Sequence, residues 1–130
     1  MTNEYQGKDK REFFRYNYEK DVHYKVVNAN KDKSSVSKLI DAVSKNLSAS
    51  GILFTTSSIP EISSVLVLDL DYRTTRICQE IEDRALILND KLIGKVVRIE
   101  DNEDGRYNIG VAFVKKTESL SSDIKDLVER

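Results

Sequence analysis

Two clusters of residues in this 130-residue chain are spaced for recognition chemistry. The first is Arg11-Glu12-Phe13-Phe14-Arg15. Two arginines four apart fall on one side of the chain, because four positions are close to one helical turn and a multiple of the strand period. Both guanidinium groups can therefore converge on one ligand. A guanidinium bonds a phosphate, or the O6/N7 edge of guanine, through two parallel N–H donors, and its flat face stacks on a base. The same spacing also suits two solvated surface charges. The second cluster is Asn46-Leu47-Ser48-Ala49-Ser50-Gly51, directly before an apolar β-run. Asn46 carries both a donor and an acceptor and can match a base edge, and Ser48 adds a hydroxyl of either sense. Gly51, without a Cβ, allows a tight turn and close approach of the backbone to a ligand. These residue types also make ordinary strand connections.

Other reactive side chains are isolated. The single histidine, His23, stands on the polar side of an expected strand with no second histidine to join it. The single cysteine, Cys78, excludes an intramolecular disulfide and every multi-cysteine metal site. With no nucleophile–base set, no catalytic residue is assigned, and no metal or cofactor is expected. Phe13 and Phe14 suit either stacking on a base or anchoring the segment to the fold. Arg73 and Arg76 read as solvated charges. Glu100–Asp104 lacks the ligand spacing of a calcium loop. Lys plus Arg is 21 and Asp plus Glu is 22, a net charge of −1. That balance argues against long nucleic acid and anionic membrane as partners, so any bound anion must be held locally. The polar N-terminus has no secretion-signal pattern and no apolar run is long enough to span a bilayer, so a cytoplasmic protein is expected.

The elements that must position these groups are mostly strands. Val22, Tyr24 and Val26 alternate with His23 and Lys25, the period of a half-buried strand. Further strands are expected at Leu39–Val43, Gly51–Thr56, Ser64–Leu70, Ala85–Leu88, Ile93–Ile99 and Tyr107–Val114. Asn28–Ser35 reads as a polar loop. Asp101–Gly105 is a turn that folds Lys95–Ile99 back on Tyr107–Val114 as an antiparallel hairpin. Asp71–Arg84 fits an insertion, a strand or a short helix. Leu120, Ile124, Leu127 and Val128 follow a helical period, so a helix is expected over about 119–130, packing on the sheet or sealing one end. Residues 1–21, mixing aromatic and charged residues without clean periodicity, read as a flexible arm. Residues 22–130 read as an all-β dominated antiparallel barrel with a C-terminal helix.

An Arg-x-x-x-Arg arm about thirty residues before Asn-x-Ser-x-x-Gly, on such a body, resembles the PilZ domain. The resemblance extends to Lys45–Phe54, to the glycine-led Gly94–Ile99 and to Tyr107–Phe113, and covers about residues 10–130. It implies a six-stranded antiparallel barrel that binds cyclic di-GMP, a bacterial second messenger. Arg11 and Arg15 would grip phosphate and guanine, Asn46 and Ser48 would bond the guanine surfaces, and Gly51 would leave space. Lys10 is a further candidate, at a position that in the family influences whether one ligand or a stacked pair binds.

The reading that follows is a receptor without catalytic activity, monomer or dimer. Its arm would order on binding and relay the signal to an unidentified effector protein, with motility, adhesion or polysaccharide outputs typical of the family. The alternative is an interaction adaptor of the same fold that never binds the nucleotide. A third reading, a barrel for single-stranded nucleic acid, is weakened by the near-zero net charge.

Overall fold

The computed structural model describes residues 15–29 and 34–128, with the side chains of residues 15–17, 29, 34 and 35 outside that description. Nine strands and two helices occur among the described residues: β1 Arg15–Asn17, β2 Asp21–Ala29, β3 Ser34–Val36, β4 Ile40–Ser48, β5 Gly51–Thr56, β6 Val65–Asp69, α1 Cys78–Arg84, β7 Ile87–Leu88, β8 Lys91–Asp101, β9 Tyr107–Phe113 and α2 Ser122–Val128. Six of the strands close into an antiparallel barrel in the order β4-β5-β9-β8-β6-β2, with β2 returning to β4. That return pairs Asp21–Tyr24 with Ile40–Val43. An antiparallel barrel is what the alternating pattern predicts and six strands is what the resemblance implies; the strand expected at Ala85–Leu88 shrinks to β7, which pairs with β8 off the ring.

Alternation places the core. Val22, Tyr24, Leu47, Phe54, Leu66, Leu68, Val96 and Ile109 are buried inside. The opposite parity on β2, β6 and β8 (Val27, Val65 and Ile93) forms a second apolar cluster outside the ring, covered by Leu127 and Val128 of α2. The tail helix therefore packs on the outer face of the barrel. The stretch Asp71–Arg84 resolves into α1, whose Ile81 is fully buried in the main core together with Ile77. The helix that seals the interior is thus α1, and α2 covers an outer face.

Two expectations are corrected in detail. Asn28–Ser35 is no plain loop: β2 runs to Ala29, and β3 pairs back on it, Val27 opposite Val36. Residues 30–33 between them lie outside the described residues. The helix expected over 119–130 begins at Ser122, with residues 129–130 outside the described residues. The hairpin across Asp101–Gly105 forms as expected, Asp101 opposite Tyr107. Asn89 and Asp90 both take positive φ and join β7 to β8, the geometry of a two-residue hairpin turn.

Tyr24 ties two barrel walls together. Its ring lies 5.0 Å from that of Phe54, and its hydroxyl is 3.1 Å from Thr56 Oγ1. Burial pushes its phenol above the usual value of 10.0, against smaller opposing effects of the hydrogen bonds to Thr56 and Ser58. The unfolded chain releases this proton near pH 10 while the folded chain retains it, so the native state binds more protons above that pH. Its contribution is present in full below pH 10 and is lost as pH rises toward the folded value. Urea unfolding across pH 8–11 should show stability falling above pH 10, with a smaller fall in Tyr24→Phe.

Candidate functional site

The second motif forms the tip of the β4–β5 hairpin. Asn46 and Ser48 belong to β4, only Ala49 and Ser50 form the turn, and Gly51 opens β5. The Ser48 hydroxyl accepts from Ser50 N at 3.2 Å and lies 3.1 Å from Ser50 Oγ and 3.4 Å from Gly51 O. These bonds satisfy the hydroxyl locally and fix the turn. Gly51 has its own structural reason. A Cβ there would lie 2.2 Å from the carbonyl oxygen of Val111 on β9, so only glycine lets β5 and β9 approach this closely.

The first motif reaches the same place through its last residue. β1 pairs antiparallel with the end of β4: Arg15 opposite Ser48, Tyr16 opposite Leu47, Asn17 opposite Asn46. Residues read as the end of the arm are therefore joined to the barrel. Tyr18 is buried, and its hydroxyl donates to Asp71 O at 2.8 Å. Lys10 and Arg11 lie outside the described residues, and of Arg15 only the backbone is described. The structure thus brings together Arg15, Asn46, Ser48 and Gly51 along one seam of backbone.

A residue that motif reading passes over holds this seam. Ser44 is fully buried where the chain passes from β1 to β2. Its hydroxyl accepts from Lys20 N at 3.2 Å and faces the carbonyls of Tyr18 and, at 3.0 Å, Lys20. Ser44 N donates to Lys20 O at 2.9 Å, and Tyr18 N to Lys45 O at 3.2 Å. Lys45 is also where the β4–β5 register shifts. The sequence signal for Ser44 is one small polar residue on the inward parity of an apolar strand, between Ala42 and Leu47.

Outside the seam lies a depression of about 340 Å³, lined by Asn46, Ser48, Ser50 and Gly51 on one side and by Val97, Arg98 and Gly110 on the other. The register explains it. Asn46 pairs with Leu53, Leu53 with Gly110, and Gly110 with Arg98, one row across β4, β5, β9 and β8. Gly110 and Ala112 keep the floor low, and the bulge at Val97 leaves that side chain exposed at the rim. Arg98 is a cation at this site that the motif spacing does not reveal. A larger recess of about 610 Å³ lies between β2, β3, β6 and the end of α2, but none of the motif residues lines it.

The site offers amide, hydroxyl, backbone and guanidinium groups for a compact anion with hydrogen-bonding edges. Among the described residues no cluster of His, Cys, Asp or Glu is placed to hold a metal ion. His23 is instead 3.2 Å from Asp41 on the neighbouring strand. Burial is the main cause that raises the Cys78 thiol above its ordinary value, the condition of an unreactive cysteine. No helix among the described residues is long and apolar enough to cross a membrane.

The sequence profile of the PilZ domain family matches residues 9–130. Among solved structures, the chain is similar to the Bacillus subtilis inhibitor of motility (MotI/DgrA), with 16% identity and a TM-score of 0.48. The likeness covers 93% of this chain and 48% of that one, so this chain spans about half the length of its neighbour. No curated protein matches the chain.

Two substitutions test the seam. Ser44→Ala removes the hydroxyl that bonds Lys20 N and Tyr18 O, which should cost about 1–3 kcal/mol in urea unfolding. It should also speed amide exchange at Arg15–Asn17 more than in β9. Gly51→Ala should destabilise by at least about 1–3 kcal/mol, the usual cost of forcing atoms into a packed contact. Its largest amide shifts should fall at Val111 and Ala112.

Proposed function

Because the chain belongs to the PilZ domain family, we propose that it is a non-enzymatic receptor for cyclic di-GMP. One observation carries the reading. The β1–β4 pairing sets Arg15, the end of one motif, opposite Ser48 of the other, with Asn17 opposite Asn46, although some thirty residues separate the two motifs in sequence. Arg11 and Arg15 supply the charge for the two phosphodiesters, with Lys10 as a further cation. Asn46 meets a guanine edge. Ser48 and Gly51 hold the hairpin tip in shape, and their backbone groups border the depression.

This division of labour fits the charge balance. A dianion with two guanines needs a few convergent groups, and a net charge of −1 is no obstacle to it. Ligand bound at the seam ties residues 10–14, which lead directly into β1, to the barrel surface. The surface so formed is what an effector protein reads.

Calorimetric titration with cyclic di-GMP should give saturable binding with a defined stoichiometry. Arg15→Ala should weaken it by a factor of ten or more, since a charge-assisted hydrogen bond contributes about 1.5–3 kcal/mol. Urea unfolding should stay close to wild type. A wild-type protein that takes up no cyclic di-GMP would sink the receptor reading and favour the adaptor. Equal binding by Arg15→Ala would remove that residue from the site.

A further inference from the structure

We infer that the site contains its own competing anion: Glu100 occupies the Arg98 guanidinium in the free protein, and a phosphodiester of the ligand displaces it. This rests on the reading of the site as one for cyclic di-GMP. Three observations carry it. Arg98 lines the depression opposite Asn46, on the same cross-strand row. Three strand-to-strand steps separate them, about 14 Å at ordinary sheet spacing. Between them the row holds Leu53 and then Gly110, whose missing side chain leaves the face of Arg98 open; a Cβ on Gly110 would sit 3.3 Å from Arg98 Cβ.

The second observation is the present partner of Arg98. Both its Nη2 and its Nε, the latter at 3.2 Å, donate to Oε2 of Glu100 two residues along the same strand. Two guanidinium N–H groups on one acidic oxygen take up the fork that would otherwise hold a phosphate. Glu100 does not line the depression, whereas Arg98 does. The third is exposure. The Arg98 side chain is 61% accessible and that of Glu100 47%, so the pair lies in water and its exchange for another anion is inexpensive.

The two sides of the depression differ in character: one is the β4–β5 hairpin tip with Asn46 and Ser48, the other the β8–β9 hairpin with the Arg98 guanidinium. Glu100 neutralises the Arg98 side in the free protein, and an anion that takes its place gives up only the small increment of an exposed ion pair.

The test is a double-mutant cycle read by calorimetry with cyclic di-GMP on the full chain. Arg98→Ala should weaken binding by about tenfold or more, the range for a lost charge-assisted bond. Glu100→Gln should tighten it roughly two- to fivefold, the span of an exposed ion pair. In the Arg98→Ala background, Glu100→Gln should change nothing. Wild-type affinity in Arg98→Ala overturns the inference and leaves the receptor reading intact. An equal gain from Glu100→Gln with and without Arg98 also overturns it, since Glu100 would then act only by general repulsion. Absence of binding by the wild type is a different result, because it removes the receptor reading on which the inference stands.

Discussion

One edge of β4 is shared by two different strands, and both the barrel and the site depend on that division. Its first half, Ile40–Val43, pairs with β2 and closes the ring; its second half, Asn46–Ser48, pairs with β1. The chain must step from one partner to the other over residues 18–20, where regular ladder pairing stops and the backbone of buried Tyr18 and of Lys20 needs other partners. Burying such groups unpaired is expensive. Ser44 answers that demand with one hydroxyl and one amide, and Tyr18 fixes the far side of the step by reaching Asp71. Without this satisfied crossing, the segment carrying Arg15 would have no reason to lie along the edge that carries Ser48.

The outer face across β4, β5, β9 and β8 follows from steric demands of closure. Gly51 is required by the Val111 carbonyl, and Gly110 lies directly against Arg98. The same small residues that let the strands approach leave a shallow floor, so the depression is a by-product of closing the ring. Polar groups then collect at its two borders, because inward positions on these strands are taken by Leu47, Ile52, Ile109 and Val111. A nearly neutral protein thereby carries a local cluster of hydrogen-bonding groups and one guanidinium without a basic face.

Much of the barrel was legible in short stretches of chain. The alternation at Val22–Val26 and Ser64–Leu70 and the Asp101–Gly105 turn each depend on neighbours in sequence, and each appears where the pattern put it. The tail helix was also readable from its spacing, though its place on the outer face was open between two options. Less legible was Asp71–Arg84, where Arg, Thr and Glu mask a seven-residue helix anchored mainly by Ile77 and Ile81, with Cys78 packed beside them. β3 was hidden for a related reason: two serines and one valine gain strand form only by pairing with β2.

By itself the sequence determined the barrel class, the polar groups of Asn46–Gly51 and the arginine spacing, since period, turn chemistry and residue type act over a few positions. Only the tertiary structure decided that Arg15 lies opposite Ser48, that α1 rather than α2 enters the core, and that Arg98 faces the same depression as Asn46. The physical reason is that cross-strand register and ring closure join residues thirty to fifty positions apart. No local preference encodes that, because it emerges only when every strand has found its partner and every buried backbone group its bond.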